Sequence, residues 1–222
     1  DETMQLVSSK KIAVIGYGSQ GKAQSNMMKD SGLDVIIGAR KGGYSWNAAK
    51  EDGFEVFSVN EAAKQADVVH VLIPDEVQKN VYKESIGPEM KAGKTLCFSH
   101  GFNISFNRIV PPEDVNVIMI APKSPGPSER KAYLEGFGVP ALLAVEKDAN
   151  GEAQKIGLGM AKAMHFTKAG VIDLNELDCR ADASPFDKET FTDLFGEQSV
   201  LCGGISELIQ AGFEVMVERG YT

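Results

Sequence analysis

The sequence of 222 residues is poor in cysteine, in clustered positive charge and in long apolar runs. Its three cysteines, Cys97, Cys179 and Cys202, form neither a CxxC pair nor a disulfide framework, which favours a reducing compartment. The basic residues are scattered and the formal net charge is −8, which argues against a nucleic-acid-binding surface. No apolar stretch approaches the roughly 18 residues that cross a bilayer, so we expect no membrane segment.

Short apolar runs alternate with helical patterns as far as Ile172, and hydrophobic residues make up 43% of the sequence, which is enough for a globular core. Near-continuous apolar strands separated by amphipathic helices are typical of a parallel sheet that is covered on both faces. We therefore predict an α/β fold with a doubly wound, Rossmann-type, mostly parallel sheet. The predicted strands are residues 12–15, 34–37, 67–73, 95–98, 115–120 and 139–145, and two predicted helices are residues 22–30 and 59–65.

The pattern changes after Ile172. Residues 173–187 are polar and contain Pro185, which is typical of a linker, and residues 193–218 are predicted to be helical throughout. We therefore place a boundary near residue 180. It separates a Rossmann domain of residues 1–180 from the beginning of an all-helical domain at residues 181–222.

A glycine-rich motif follows the first predicted strand directly, because Gly16-Tyr17-Gly18-Ser19-Gln20-Gly21 satisfies G-x-G-x-x-G. One glycine permits the tight turn, the next lets the backbone approach a pyrophosphate, and the third lets the helix pack close to the strand. The strand before the motif and the helix after it supply the context that the motif needs. The sequence therefore predicts a dinucleotide site. The alternative is a glycine-rich turn that binds nothing.

The end of the second strand indicates which dinucleotide binds. An acidic residue there would hold the ribose hydroxyls of NAD, whereas this chain has Arg40, Lys41 and, further on, Ser45. Cations and a hydroxyl can make charge-assisted hydrogen bonds to the 2′-phosphate of NADP, so we predict NADP. The alternative is a solvated turn. The loop Asp75-Glu76-Val77-Gln78 follows another strand and is expected to border the cofactor.

Two further candidates follow predicted strands. His100 comes after the strand that ends at Phe98, and Lys123 comes after the strand that ends at Ile120. Ligands of doubly wound sheets bind at the carboxyl ends of the strands, which places both side chains toward the cleft. A structural or solvent-facing role is the alternative for each. His70 and His165 are interpreted as packing or surface residues.

Asp193 and Glu197 are candidate metal ligands. Residues four apart on a helix lie on one face, so both carboxylates can face one hard cation or a pair of cations. The alternative is a solvated first turn that the helix dipole favours. Glu207 would lie about 15 Å further along the same helix and cannot share the ion.

Together these residues resemble those of a known family, the ketol-acid reductoisomerases of the short, class I type. The resemblance runs in order from about Lys11 to Tyr221, and separated motifs in register are more specific than any single one. The motifs are Ile15-Gly16-Tyr17-Gly18-Ser19-Gln20-Gly21, His100-Gly101-Phe102-Asn103, Ala121-Pro122-Lys123, Gly138-Val139-Pro140-Ala141, and Asp193-Leu194-Phe195-Gly196-Glu197-Gln198 followed by Leu201-Cys202-Gly203-Gly204.

The resemblance implies an enzyme of valine and isoleucine biosynthesis that needs NADP and two Mg²⁺ ions. An alkyl group of 2-acetolactate or 2-aceto-2-hydroxybutyrate migrates, and NADPH reduces the product to a 2,3-dihydroxy acid. By resemblance, Asp193 and Glu197 are metal ligands, and His100 and Lys123 are active-site residues. The implied cofactor contacts are Gly16, Tyr17, Gly18, Ser19, Gln20, Gly21, Arg40, Ser45, Asp75, Glu76, Val77, Gln78 and Gly126. The implied partners are a small acetohydroxy acid and further copies of the chain as a homo-oligomer, in the cytoplasm or in an organelle stroma or matrix.

The chain departs from the family pattern at several positions. Gly43 stands where the family often has a serine that holds the 2′-phosphate, Lys22 and Pro127 replace usual histidines, and the stretch before Asp193 is longer. In the family, the remaining metal ligands follow the position of Tyr221, so we expect a truncated C-terminal domain. We therefore expect the chain alone to be inactive. The alternative function is an NADP-binding module whose metal site another polypeptide completes.

Overall fold

The computed structural model describes residues 1–180 and 182–221, and its centre is an eight-stranded sheet with the strand order β3-β2-β1-β4-β5-β6-β7-β8. All neighbouring strands are parallel except β6 and β7, which are antiparallel. The strands are β1 Lys11–Ile15, β2 Asp34–Gly38, β3 Val56–Phe57, β4 Val68–Val71, β5 Thr95–Phe98, β6 Asn116–Pro122, β7 Ala141–Lys147 and β8 Val171–Asp173.

Helices connect the strands and cover both faces of the sheet, and each face has its own buried apolar cluster. Short π-helical turns occupy Tyr82–Ile86 and Glu197–Leu201, and a 3₁₀ turn occupies Gly87–Glu89. The α-helices are α1 Glu2–Ser8, α2 Ser19–Asp30, α3 Tyr44–Glu51, α4 Val59–Gln65, α5 Asp75–Val81, α6 Phe102–Ser105, α7 Gly126–Leu134, α8 Ala153–Ala163, α9 Phe166–Ala169, α10 Pro185–Gly196 and α11 Gly204–Glu218.

The predicted fold class is confirmed, and the strand order explains where ligands can bind. The strand order reverses between the neighbouring strands β1 and β4, because the chain passes from β3 at one edge to β4 beside β1. This reversal leaves a crevice at the carboxyl ends of β1 and β4. The loops after β1, β4, β5 and β6 meet at this edge. They carry the glycine-rich motif and the segments that begin at Asp75, His100 and Lys123.

All six predicted strands agree with the structure to within two residues at each end. The very short strands β3 and β8 were not predicted, because two or three residues carry too little periodicity. Helix α2 begins at Ser19 rather than at residue 22, since the last part of the glycine motif is itself the first helical turn.

The predicted linker and final helix need correction. Helix α10 begins at Pro185, inside the predicted linker, because Ser184 and Asp187 form a capping box and proline suits the first helical turn. The segment is also not one uninterrupted helix, since a π-helical turn separates α10 from α11. The domain limits at residues 181 and 222 lie outside the described residues.

The two parts of this helical segment differ in burial. In α10, Phe186 is fully buried, and its ring meets that of Phe98 edge to face at 6.3 Å. In α11, none of the residues is buried. By length and composition alone the helical stretch Pro185–Glu218 is apolar enough to cross a membrane, with an 18-residue window of mean hydropathy 1.4 that is 0% buried, and the expectation of no membrane segment stays a prediction.

Candidate active site and nucleotide cleft

The glycine-rich turn has the geometry of a dinucleotide site. Gly16 has a φ of +98°, and a Cβ atom there would lie 2.7 Å from the Leu72 carbonyl oxygen. A Cβ atom on Gly21 would collide with the Gly16 carbonyl oxygen, so only glycine lets α2 approach the turn this closely. Around Gly18, the N-cap of α2, the space within 4 Å of a Cβ position is open among the described residues. The backbone there is accessible to a phosphate group.

Two cavities lie on either side of this turn along the edge of the sheet. One cavity of about 470 Å³ is mostly apolar and lies beyond the end of β2, and its lining includes Gly16, Arg40, Ser45 and Val77. The other, of about 360 Å³, is lined by residues that include Gly18, Ser19, Gln20, Asp75, Gln78 and His100. An extended dinucleotide across the turn would place one end in each cavity.

Four of the predicted cofactor residues line neither of these two cavities, but Tyr17 and Gly126 line a third, of about 460 Å³, that also borders Gly18 and Ser19 of the turn. Tyr17 is 2% exposed, and its hydroxyl donates to Asp52 at 2.7 Å. Gly126 packs against the backbone of Ser19, and Gly21 is buried behind the turn. Glu76 is exposed and does not line either cavity as the described residues form them. Gly21 therefore supports the turn from behind, while cofactor contacts of Tyr17 and Gly126 stay predictions.

Gln78 and Asn103 connect two loops of the cleft. The Gln78 side-chain amide donates to the Ile73 carbonyl at 2.8 Å and to Asp75 at 3.0 Å, and its oxygen accepts from Asn103 at 3.0 Å. Burial raises the pKa of the Asp75 carboxyl, while the nearby His100 lowers it by electrostatic attraction. Gln78 therefore fixes the loop after β4.

Four side chains form a charged cluster at the ends of β5 and β6: His100, Lys123, Glu189 and Asp193. The Lys123 ammonium lies 2.8 Å from Asp193 and 3.2 Å from Glu189. His100 Nδ1 lies 3.0 Å from Glu189 and 3.6 Å from Asp193. The structure therefore brings together three residues that the sequence singled out, His100, Lys123 and Asp193.

The carboxylates of the cluster raise the pKa of both of its basic members. Burial by itself would lower the pKa of His100 and of Lys123, but the neighbouring carboxylates reverse the direction. For His100 the hydrogen bond to Glu189 raises the pKa, and for Lys123 the hydrogen bond to Asp193 does so. The carboxylates therefore favour the charged forms of both side chains beside the cleft.

Glu189 was missed by the sequence analysis, although its position carried a signal. It is 1% exposed, and its carboxylate also accepts from the Gly101 backbone N–H at 3.0 Å. It lies four residues before Asp193, so Glu189, Asp193 and Glu197 form one acidic row along the helix. The sequence prediction included only the last two members of that row.

Glu197 lies apart from the charged cluster, in the π-helical turn. It borders a cavity of about 580 Å³ that is also lined by Lys123, Ser124 and Asp193. Carboxylate oxygens on one side of such a space suit a hard cation such as Mg²⁺, which takes six oxygen ligands. Within the described residues, the compact ligand group comprises His100, Glu189 and Asp193, and Lys123 already neutralises part of its charge. The donor chemistry at Asp193 and Glu197 therefore fits Mg²⁺ but fills only part of its coordination shell.

Comparison with known protein families matches the chain in two successive parts. The family described as "Acetohydroxy acid isomeroreductase, NADPH-binding domain" matches residues 6–170, and the "Ketol-acid reductoisomerase, C-terminal domain" matches residues 186–222. The chain belongs to the ketol-acid reductoisomerase family. The resemblance drawn from the sequence motifs is thereby confirmed, and the NAD(P)-binding part agrees with the glycine-rich turn.

Individual members of the ketol-acid reductoisomerase family are closely similar. A "Ketol-acid reductoisomerase (NAD(+))" from uncultured archaeon GZfos26G2 is 59% identical over 97% of this chain, and a "Ketol-acid reductoisomerase (NADP(+))" from Methanocaldococcus jannaschii is 57% identical over 100% of it. The chain spans 64% of the length of both relatives.

Solved structures of other proteins are also similar to this chain. An NADH-preferring ketol-acid reductoisomerase from an uncultured archaeon is 57% identical, with a TM-score of 0.89 over 99% of this chain and 65% of that one. A semialdehyde dehydrogenase NAD-binding protein from Cupriavidus necator has a TM-score of 0.73 at 17% identity, over 96% of this chain and 76% of that one, and shares the fold alone.

Proposed function

We propose that the chain contains the nucleotide-binding domain and the first metal-binding carboxylates of an NADP- and Mg²⁺-dependent ketol-acid reductoisomerase. This enzyme would convert 2-acetolactate or 2-aceto-2-hydroxybutyrate to a 2,3-dihydroxy acid by alkyl migration and hydride reduction. The observation that carries the proposal is the contact of Lys123 with both Glu189 and Asp193 at the strand edge where the nucleotide cleft opens.

The chain's own groups have separate tasks in this proposal. The backbone at Gly18 and Ser19 binds the pyrophosphate, and the cavity near His100 takes the nicotinamide. Glu189 orients His100 and Lys123, since it is buried and bonds to both. The Lys123 ammonium holds a proton beside Asp193 and can stabilise negative charge on the substrate.

Asp193 and Glu197 would hold the divalent ions. When bound, such ions polarise a carbonyl group and lower the pKa of a neighbouring hydroxyl group. The carboxylates face the same cavity as Lys123, so the substrate would lie between the helix that ends at Gly196 and the loop after β6.

The preference for NADP rests on Arg40 and Ser45, which line the cavity beyond β2. The double substitution Arg40→Ala with Ser45→Asp should lower NADPH affinity about tenfold or more relative to NADH affinity, because it removes one cation and adds an anion. The two affinities are measured by titration of nucleotide fluorescence. An unchanged ratio would show that this loop does not contact the 2′-phosphate.

A second candidate function is a nucleotide-binding module whose metal site another polypeptide completes. It is favoured by the small number of oxygen ligands that the described residues offer at Asp193 and Glu197. Oxidation of NADPH by this chain alone, with 2-acetolactate and Mg²⁺, distinguishes the two. Turnover would support the complete enzyme, whereas NADPH binding without turnover would support the module.

A further inference from the structure

Two fully buried polar side chains lie behind the nucleotide turn, His70 in β4 and Gln24 in α2. His70 Nε2 lies 2.8 Å from the Gln24 side-chain oxygen. The Gln24 amide nitrogen donates to the Gln20 side-chain oxygen at 2.9 Å, and the Gln20 amide nitrogen donates to the Ser124 carbonyl at 3.1 Å. We call these three side chains and the Ser124 carbonyl the buried polar chain.

The Ser124 carbonyl determines the direction of every bond in the buried polar chain. A carbonyl oxygen can only accept, so the nitrogen of the Gln20 amide must face it and the oxygen of that amide must face Gln24. Gln24 then has to donate to Gln20 and present its own oxygen to His70. His70 must therefore carry its proton on Nε2.

The buried polar chain connects the loops of the cleft that carry the proposed active-site residues. Ser124 directly follows Lys123, and Gln20 lies in the first turn of α2 at the nucleotide motif. Gln24 also donates to the Ser99 hydroxyl at 3.3 Å, and Ser99 directly precedes His100. One glutamine thus contacts the nucleotide turn and the loop after β5, and reaches the loop after β6 through Gln20.

We propose that His70 and Gln24 are positioning residues that fix the loops of Lys123 and His100 relative to the nucleotide turn. Gln24 is fully buried and a buried polar group without a partner is costly, so Gln20 and Ser99 are held where they accept from its amide nitrogen. Burial lowers the pKa of His70 to about 4, which keeps the imidazole neutral at neutral pH. The inference rests on the proposed function only for the role of these loops in binding.

The bond directions are tested without any nucleotide. Long-range ¹H–¹⁵N correlation spectra of the labelled chain report which ring nitrogen of His70 carries the proton. We expect the Nε2–H tautomer throughout pH 6–8. A proton on Nδ1, or an imidazolium in this range, would reverse or break the buried polar chain and overturn the inference.

The positioning role is tested with matched variants of one strand. His70→Leu removes the donor, His70→Gln keeps a donor at a similar distance, and Val69→Ala makes a cavity on the opposite face of the same strand. Backbone amide shifts at Lys123, Ser124 and His100 in the ligand-free chain are the first readout. We expect them to change in His70→Leu, and to stay near the wild-type values in the other two.

Nucleotide affinity is the second readout. His70→Leu should raise the Kd for NADPH about three- to tenfold, the loss expected for one hydrogen bond, with His70→Gln and Val69→Ala close to the wild type. Equal effects of His70→Leu and Val69→Ala on shifts or affinity would reduce His70 to a packing residue. If the wild-type chain binds neither NADPH nor NADH, the proposed function fails, while the ligand-free shifts still decide the positioning role.

Discussion

The glycine-rich turn after β1 and the helical segment from α10 to α11 differ in what holds them. At the turn, Gly16 and Gly21 are enclosed by backbone and side chains on all sides where a Cβ would point. In the helical segment, α10 is anchored through Phe186 and Glu189, but no residue of α11 is buried. The chain therefore determines the geometry of its nucleotide side by itself, and that of the proposed metal side only as far as Asp193.

The largest effect should come from the metal side. Asp193→Asn removes a carboxylate from Lys123 and from the proposed ion site, so turnover of 2-acetolactate should fall at least about a hundredfold in an assembly that has activity. NADPH affinity should change less than about twofold, since Asp193 lies outside both nucleotide cavities. Steady-state kinetics and a nucleotide titration measure the two quantities. An equal loss of nucleotide affinity would argue against the assignment of Asp193 to the metal.

The nucleotide turn should respond in both stability and binding. Gly21→Ala forces a Cβ atom against the Gly16 carbonyl, so we expect the free energy of unfolding to fall by about 1–3 kcal/mol, with a loss of NADPH affinity. Gly18→Ala is the matched control, because open space surrounds that position among the described residues. It should leave stability within about 0.5 kcal/mol but weaken NADPH binding. Urea denaturation and titration separate these outcomes, and unchanged binding in Gly18→Ala would mean that no phosphate approaches there.

A buried acid makes the free energy of unfolding of the nucleotide side depend on pH. Glu129 in α7 is 1% exposed, and burial raises its pKa to about 7 from 4.5, although Gln20 acts in the opposite direction. Between these two values the folded state keeps a proton that the unfolded chain has lost, so stability falls as the pH rises from about 4.5 to about 7. Glu129→Gln removes this penalty and should raise the free energy of unfolding by about 1–2 kcal/mol at pH 8.

The control for this prediction is Glu135→Gln at the exposed end of the same helix, which should change stability by less than about 0.5 kcal/mol. Denaturation curves at pH 5 and pH 8 provide the comparison. If Glu129→Gln stabilises the chain equally at both pH values, the effect is one of packing and not of ionisation.

The sequence could predict features that depend on local patterns, but not those that depend on contacts between distant residues. The turn, the parallel sheet and the positions of His100 and Lys123 follow from local patterns, because strand ends meet at one edge whatever the details of packing. His70 and Gln24 required the structure, as did the contacts of Glu189, whose place in the acidic row alone is visible in the sequence. Their partners lie far away in sequence, and a buried glutamine or histidine has no periodic signal of its own. The start of α10 was misjudged because the capping box at Ser184 lies within a polar stretch.

The smallest predicted effect tests whether α11 is as unconstrained as its exposure indicates. Gly212 is inside this helix, and no described atom lies within 4 Å of its Cβ position. Gly212→Ala should therefore stabilise the helix by about 0.5–1 kcal/mol through lower backbone entropy in the unfolded chain, as measured by thermal unfolding. A destabilisation would mean that the added methyl group meets an atom of another molecule. Because α11 presents apolar side chains such as Leu208 and Phe213 to solvent, that result would favour an interface on this helix.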